Sequence, residues 1–160
     1  MRLRVEERDG EDEIVIYCRE RSKRVRRIER LLEQIVSEDR ELVLTVGETE
    51  YYVPQREILF FETDGGRISA HTRDRMLRAS GTLSSIEKSL PYSFARASKS
   101  CIVNVAEVCA LSKNFTGLGE VLFKNSDKRV YVSRGYYREL KQKIYELHRL
   151  DRQGGNENEE

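Results

Sequence analysis

The feature that most constrains the fold of this chain is a succession of short strand-type segments along its middle. Turn-forming residues interrupt these segments about every eight to twelve residues, a spacing typical of antiparallel β structure. Gly47 separates Leu42–Val46 from Tyr51–Val53, and Asp64–Gly66 leads into Arg67–Thr72 with residues that tolerate the positive φ of a hairpin turn. The sequence therefore predicts a mainly β fold of antiparallel sheets with a few helices.

Further strand-type segments follow the same pattern. They are Ile58–Phe61, Met76–Ala79, Cys101–Val105, Val108–Leu111, Gly119–Phe123 and Arg129–Val132. A short helix is predicted where Thr82 supplies a capping hydroxyl and Leu83, Ile86 and Leu90 recur on one face. Pro91 ends this helix because it cannot continue the hydrogen-bond ladder. Five apolar residues are expected in the core: Phe60, Phe61, Phe94, Ile102 and Val103.

The chain divides into three parts by pattern. Residues 39–150 form the predicted main domain, which a helix closes through the spacing of Tyr137, Leu140, Ile144 and Leu147. Residues 151–160 are so polar that we expect a disordered tail. Residues 1–38 are predicted to form a separate extension of two strands and one helix.

The extension begins with two alternating segments, Arg2–Glu7 and Glu13–Cys18, which we expect to pair as a hairpin. From Glu20 the pattern becomes helical, with Ser22 as a candidate N-cap. The apolar stripe of this helix consists of Val25, Ile28, Leu31, Leu32, Ile35 and Val36. An amphipathic helix must bury its stripe, either on the main domain or in a homodimer through Val25, Ile28, Leu32 and Ile35. The outward cations form a solvated face or a surface for phosphate or a partner: Arg21, Lys23, Arg24, Arg26, Arg27 and Arg30.

Charge and composition exclude several classes of protein. With 29 basic and 28 acidic residues the chain is not globally basic, so nucleic-acid binding requires a local cluster of cations. The two histidines stand outside any metal-ligand cluster, and no phosphate-binding loop or catalytic signature occurs. We therefore expect that the protein is not an enzyme and that it binds neither a metal nor a cofactor.

The compartment of the protein is also predicted from its sequence. No apolar run spans a bilayer and no secretory signal is present, which predicts a cytoplasmic protein without a membrane span. The three cysteines Cys18, Cys101 and Cys109 lack paired spacing and are expected to be reduced, buried thiols.

One stretch, Phe94–Val105 with the sequence FARASKSCIVNV, combines a strand with a cationic, hydroxyl-rich corner. It follows the TL…LP signal of the short helix and precedes VSRGYYRELK, at residues 132–141. The order F-x-R-x-x-x-S-x-x-V-N followed by V-S-R-x-Y-x-x-x-L-K resembles the LytTR family of bacterial response-regulator DNA-binding domains. Glu57–Glu62 is similar to an early strand of the family, and the resemblance extends from about Leu42 to Ile144.

This resemblance implies an elongated fold of stacked antiparallel sheets, here preceded by the strand-strand-helix extension. It also implies that loops enter successive major grooves of double-stranded DNA, commonly at paired direct repeats, to regulate transcription. Family members often carry an N-terminal receiver domain, and the piece before Ser37 is too short for one. Many members have histidine where Ser98 stands. Serine discriminates bases less well, so Lys99 is expected to take the groove contact, to guanine or to phosphate.

Nine residues form the candidate DNA-binding set: Arg96, Ser98, Lys99, Ser100, Ser133, Arg134, Tyr136, Arg138 and Lys141. Arg134 follows a strand and precedes a helix across Gly135, so its guanidinium projects from a corner where it can hold guanine or phosphate through two hydrogen bonds. Lys143 is expected near the same helix face. Arg96 and Asn104 have an alternative role, tying the loop to the sheet, and Tyr136 has the alternative of packing.

Two functions remain open at this level. The first is a sequence-specific DNA-binding transcriptional regulator that reads the major groove through β-sheet loops. The alternative is a non-catalytic protein-interaction module whose basic face binds an acidic partner or a membrane surface, since screened attraction to carboxylate or lipid phosphate requires the same cations.

Overall fold

A computed structural model of the chain describes residues 6, 9–10, 13–38 and 40–154. Its helices and strands are α1 (Lys23–Glu38), β1 (Glu41–Val46), β2 (Thr49–Pro54), β3 (Phe60–Asp64), β4 (Arg67–His71), β5 (Met76–Ala79), α2 (Leu83–Ser89), β6 (Phe94–Ser98), β7 (Cys101–Asn104), β8 (Val108–Lys113), β9 (Gly119–Phe123), β10 (Arg129–Val132) and α3 (Arg134–Gly154). The predicted mainly β class with a few helices is confirmed.

The strands form two antiparallel sheets. The larger has the order β2-β1-β5-β4-β3-β7-β6 and the smaller the order β10-β9-β8. The predicted turns lie where the glycines allow a left-handed backbone: Gly47 has φ 60° between β1 and β2, and Gly65 and Gly66 have φ 56° and 75° between β3 and β4. Short turns of this kind are what the closely spaced strands require.

The middle of the larger sheet is buried on both faces. On β3, Phe60 joins the core between the two sheets and α3, whereas Phe61 joins a second core beneath α2. All four residues of β7 are buried, and the five predicted core residues are buried as well. Burying a side chain such as Phe or Ile contributes about 1.5–3 kcal/mol, so this layer holds the fold together.

The short helix α2 begins as its sequence predicts. Thr82 Oγ1 accepts a hydrogen bond from the Ser85 amide at 3.1 Å, and Ser85 Oγ accepts one from the Thr82 amide at 3.0 Å. This reciprocal pair is a capping box with serine in the place of the usual Glu or Gln. Leu83 is buried on the second core, and the helix ends before Pro91.

Polar contacts fasten the two sheets to each other at the loop after β4. Lys128 Nζ donates to the carbonyls of Thr72 and Arg75, at 2.6 and 2.9 Å. Arg73 forms a salt bridge with Glu107, which follows β7 in a 3₁₀ turn. These cations act on the backbone and on one carboxylate, so they set how the sheets stack.

Several predictions for the ends of the chain differ from the structure. Residues 13–18 form no strand; Arg2–Glu7, the expected partner, lies outside the described residues except for Glu6. Instead, Ile14, Ile16 and Cys18 line a groove of about 540 Å³ together with α1, because an alternating segment can cover a helix without ladder hydrogen bonds. At the other end α3 continues to Gly154, over the first four residues of the expected disordered tail, since extending an existing helix costs little. The rest of that tail, residues 155–160, lies outside the described residues.

The helix of the extension forms as predicted, and its N-terminus is capped at Ser22. The Ser22 Oγ accepts a hydrogen bond from the Val25 amide at 3.3 Å. Within the described part of the chain, no helix is both long and apolar enough to cross a membrane.

Of the three cysteines, one is buried and two are exposed. Cys101 lies in the core, where burial raises the pKa of its thiol from 9.0 to about 12. Cys18 and Cys109 are exposed, contrary to the prediction. Cys109 lies in the register shift between Val108 and Ala110, which turns its side chain away from the core.

His71 generates a prediction about the pH dependence of stability. It is 8% exposed, stacks on Phe60 with ring centroids 4.1 Å apart, and lies 2.8 Å from Glu62 Oε1. Burial lowers the pKa of His71 below 6.5, and Glu62 offsets part of that shift. The unfolded chain therefore binds the proton more readily, so stability is full above pH 6.5 and falls as the pH drops below it.

We expect the free energy of unfolding, measured by urea titration, to fall between about pH 8 and about pH 5.5, and the fall to be smaller in His71→Gln. The comparison cancels the other titrating groups. An identical pH dependence of the two proteins would contradict this assignment.

Candidate nucleic-acid interface

The turn between β6 and β7 is held rigidly on both sides. Ser98 Oγ accepts a hydrogen bond from the Ser100 amide at 3.2 Å and lies 3.3 Å from Ser100 Oγ. The Ser100 carbonyl accepts a hydrogen bond from the Thr63 amide of β3 at 2.8 Å. Lys99, at the tip, is exposed and its amino group has no partner among the described residues. The turn thus presents one free cation on a fixed support.

Arg96 is a positioning residue for this turn. Its Nη1 donates to the Lys99 carbonyl at 2.7 Å, its Nε to Glu87 Oε2 at 3.0 Å, and its Nη2 to Ser84 Oγ at 3.3 Å. The side chain is 18% exposed. Because the three contacts join the turn to α2, the structure favours the tying role of Arg96 over direct contact with a ligand.

Asn104 has the same kind of role at the other end of β7. Its Nδ2 donates to the Ile58 carbonyl at 3.0 Å, and its Oδ1 accepts from the Ala106 amide at 3.2 Å. The residue is 2% exposed. Its amide therefore satisfies buried backbone groups, as buried polar groups require.

A β-bulge brings the start of α3 to the turn. The register of β6 against β7 shifts between Arg96 and Ser98, which leaves Ala97 as the extra residue. The Ala97 carbonyl accepts a hydrogen bond from the Ser133 amide at 2.9 Å. Ser133 is next to Arg134, and Ala97 is two residues from Lys99, so both candidate loops meet at one corner of the molecule.

Arg134 is the first residue of α3, so the helix begins at Arg134 and not after Gly135 as the sequence predicts. The Ser133 carbonyl already accepts the amides of Tyr136 and Tyr137, at 3.0 and 3.2 Å, so the helix begins there. Arg134 is exposed, and its stem lies over Gly117, where a Cβ would be 3.5 Å from Arg134 Nε. Gly117 has φ 88°, which favours glycine in this turn.

Arg134, Arg138 and Lys141 share one face of α3, because residues three and four apart are neighbours on a helix. All three are exposed, and none forms a salt bridge within the described ranges. We refer to Lys99, Arg134, Arg138 and Lys141 as the basic strip.

Lys143 does not belong to the basic strip, contrary to expectation. It lies half a turn away from Arg134 in helical angle, donates to the Phe94 carbonyl at 2.8 Å and sits 4.2 Å from the centre of the Tyr92 ring. Burial is the main reason that its pKa is lowered, and Arg30 adds to the effect. This lysine anchors α3 to β6.

The two tyrosines after Arg134 pack against the core between the sheets. Tyr137 lies so close to Gly119 that a Cβ there would be 2.6 Å from its ring. Lys113, which the sequence analysis did not single out, places its amino group 4.9 Å from the centre of the Tyr137 ring. Only the sheet register brings this exposed cation of β8 beside α3, so no sequence pattern marks it.

The start of α3 is electrostatically suited to an anion. The first turn contains no acidic residue and carries Arg134, although cations are unfavourable at the positive end of a helix dipole. Free backbone amides at such an end bind phosphate well. The placement of a cation there costs helix stability and strengthens anion binding.

Comparison with known proteins places the domain in a family. The sequence model of the family described as "LytTr DNA-binding domain" matches residues 48–145. The Sensory transduction protein LytT of Bacillus subtilis (strain 168) is 33% identical over 105 residues, which are 65% of this chain and 43% of that protein. The chain thus spans less than half of this relative.

A solved structure has the same fold. It is the LytTr DNA-binding domain of a putative methyl-accepting/DNA response regulator from Bacillus cereus, with a TM-score of 0.60 at 22% identity. The likeness covers 65% of this chain and 95% of that one. The expectation of stacked antiparallel sheets is thereby confirmed.

The three hydrogen bonds of the Arg96 side chain lead to a prediction. Arg96→Ala removes hydrogen bonds from a partly buried guanidinium and should lower the free energy of unfolding by about 1–2 kcal/mol, as measured in urea. Arg138→Ala, which removes an exposed cation without a salt bridge, is the matched control and should change stability by less than about 0.5 kcal/mol. Equal stabilities of the two variants would refute the positioning role.

Proposed function

The chain belongs to the LytTr DNA-binding domain family, and from this premise we propose that it is a sequence-specific DNA-binding transcriptional regulator. It reads the major groove of double-stranded DNA through the β6–β7 turn and the start of α3. The observation that carries the proposal is the hydrogen bond between the Ala97 carbonyl and the Ser133 amide, which joins the support of Lys99 to that of Arg134. Two loops that meet at one corner can enter the same groove.

The chemistry of the two cations fits base reading. Arg134 can donate two parallel hydrogen bonds to guanine O6 and N7, and Lys99 can donate to the same acceptors or to phosphate. The Ser98 hydroxyl is already within hydrogen-bond range of Ser100, so it contributes little discrimination between bases. Base reading therefore falls to Arg134 and Lys99.

The remaining members of the candidate set are suited to the DNA backbone. Arg134 and Lys141 are seven residues apart on α3, about 10 Å at 1.5 Å per residue, or roughly three base pairs of rise. Arg138 and Lys141 can therefore follow the phosphates of one strand, with the hydroxyls of Ser133 and Ser100 as additional donors. Tyr136 and Arg96 support the interface without contacting DNA: Tyr136 packs against the core, and Arg96 holds the β6–β7 turn by its hydrogen bonds.

Arg134→Ala tests the base-reading role. We expect a loss of about 1–3 kcal/mol in binding to the preferred site, with relaxed preference at one base pair. The sites are first selected from random DNA, and anisotropy titrations then compare the selected duplex with single-base variants. Equal weakening on every sequence would show that Arg134 holds only phosphate.

Lys99→Ala provides the contrast in the same assay. Loss of a phosphate contact lowers the slope of log affinity against log salt by about one unit, whereas loss of a base contact changes the preferred sequence. If neither quantity changed, Lys99 would lie outside the contact surface.

The alternative function is a non-catalytic interaction module that uses the basic strip to bind an acidic partner or a membrane surface. The regulator and the interaction module would both bind their partners in a salt-sensitive way, so the salt dependence alone does not distinguish the two functions. A preference for selected over random DNA that persists as salt rises supports the regulator. Salt-sensitive binding without sequence preference would favour the interaction module.

We further propose that two copies bind paired direct repeats as a homodimer through the extension. Val25 is buried and Ile28 and Leu32 are half-buried, whereas Val36 is 61% and Ile14 63% exposed along the same groove. Exposed apolar side chains of this kind favour association. The groove that they line is the proposed contact.

A charge placed in that contact tests the homodimer. Val36→Glu should convert a dimer to a monomer in sedimentation equilibrium, because burying an unpaired carboxylate opposes association. Arg24→Glu, also on the exposed part of α1, is the control for the added carboxylate. A wild-type protein that sediments as a monomer would exclude the dimer.

A further inference from the structure

A second concentration of positive charge lies between α1 and α3, beyond the end of the basic strip on α3. These helices enclose an open groove of about 330 Å³. Its cations are Lys23, Arg26, Arg27 and Arg30 of α1 and Arg149 of α3, and its single carboxylate is Glu146. Arg149 is fifteen residues beyond Arg134 on α3, about 22 Å along the helix, but only eight residues, about 12 Å, beyond Lys141, with which it borders a groove beside β8. This surface, the α1–α3 groove, thus lies apart from Lys99 and Arg134 and follows the Lys141 end of the basic strip.

The positive charge of the groove is not neutralised within the described residues. Glu146 already accepts hydrogen bonds from the Tyr92 hydroxyl at 2.9 Å and from Gln142 at 3.2 Å. None of Lys23, Arg26, Arg27 or Arg149 forms a salt bridge in that part of the chain.

Two acidic residues of α1, Glu29 and Glu33, point away from the groove. Glu29 and Glu33 line the apolar groove on the other side of the helix, and Glu29 binds Arg21 at 2.7 Å. Without these carboxylates, the cations Lys23, Arg26, Arg27 and Arg30 have one another as neighbours, at spacings of three and four residues where like charges repel. The first turn of α1 also lacks an acidic residue, so its cations oppose the helix dipole. An anion in the groove would relieve both costs.

Of the two aromatic side chains of the groove, Tyr92 is positioned by polar contacts. Tyr92 is fixed by its hydrogen bond to Glu146, and the Arg30 guanidinium lies 5.1 Å from the centre of its ring. Tyr145 of α3 also lines the groove and is 64% exposed. A planar ring beside several guanidinium groups suits a phosphorylated molecule that carries a flat base.

We propose that the α1–α3 groove binds a small molecule bearing a chain of phosphates, either inorganic polyphosphate or a nucleotide. Arg26, Arg27 and Lys23 hold the phosphates, Arg149 approaches them from α3, and Tyr145 is available to stack on a base. The volume is that of a small-ligand site, whereas a DNA duplex is too wide to enter it. Bound phosphate bridges the extension to the main domain, and this binding does not require the DNA-reading function.

The test uses the full chain and two probes, inorganic triphosphate and ATP, in isothermal titration calorimetry at near-physiological salt. We expect both probes to bind and the variant Arg26→Ala/Arg27→Ala to bind each at least about tenfold more weakly, because two charge-assisted contacts are lost. Arg24→Ala, an exposed arginine of the same helix outside the groove, should bind like the wild type. Equal affinity for both probes supports the phosphate chain alone, and tighter ATP binding supports stacking on Tyr145 as well.

A second measurement guards against misfolding of the variant. Triphosphate should raise the midpoint of thermal unfolding of the wild type and leave that of the double variant unchanged, with matching circular dichroism spectra of the free proteins. The absence of binding by both probes, or an equal loss in Arg24→Ala, would overturn the proposal. If the double variant lost DNA affinity while triphosphate bound neither protein, the groove would instead contact the DNA backbone.

Discussion

The hydrogen bond between the Ala97 carbonyl and the Ser133 amide is the contact on which the candidate interface depends. It exists because β6 contains one residue more than its partner strand, and the extra residue turns its carbonyl away from the sheet ladder. The Ser133 amide, at the start of α3, donates a hydrogen bond to that carbonyl in place of a neighbouring strand. A segment late in the chain is thereby joined to a hairpin more than thirty residues earlier, which links the support of Lys99 to that of Arg134.

The support behind this corner is rigid because the larger sheet is covered on both faces. Phe60 and Phe61 fill opposite cores from adjacent positions, and Arg96 fixes the turn to α2. Lys128 and Arg73 fasten the smaller sheet through backbone carbonyls and Glu107. Side chains that are held in this way allow exposed cations to reach a ligand without first losing much conformational freedom.

A nearly neutral chain carries two separate concentrations of positive charge. Lys99, Arg134 and their neighbours gather at one end of α3, and the cations of the α1–α3 groove gather towards the other. Net charge therefore says little about where an anion binds, because screened attraction acts over about 8–10 Å. The distribution of charge along the helices therefore determines where an anion can bind, and the net charge of the chain does not.

The sequence by itself determined the strands and turns of the main domain and five residues of its core, because periodicity and glycine conformation are local properties. It also determined the family, through the residues around Phe94–Asn104 and Val132–Lys141. Only the tertiary structure decided which polar side chains are free. Arg96 and Lys143 resemble Lys99 and Lys141 in sequence, yet their donors are bound to carbonyls of residues close in space. Likewise, Cys109 faces outward because the register of β8 against β9 shifts there, and residues 13–18 line a groove with α1 in place of forming a strand.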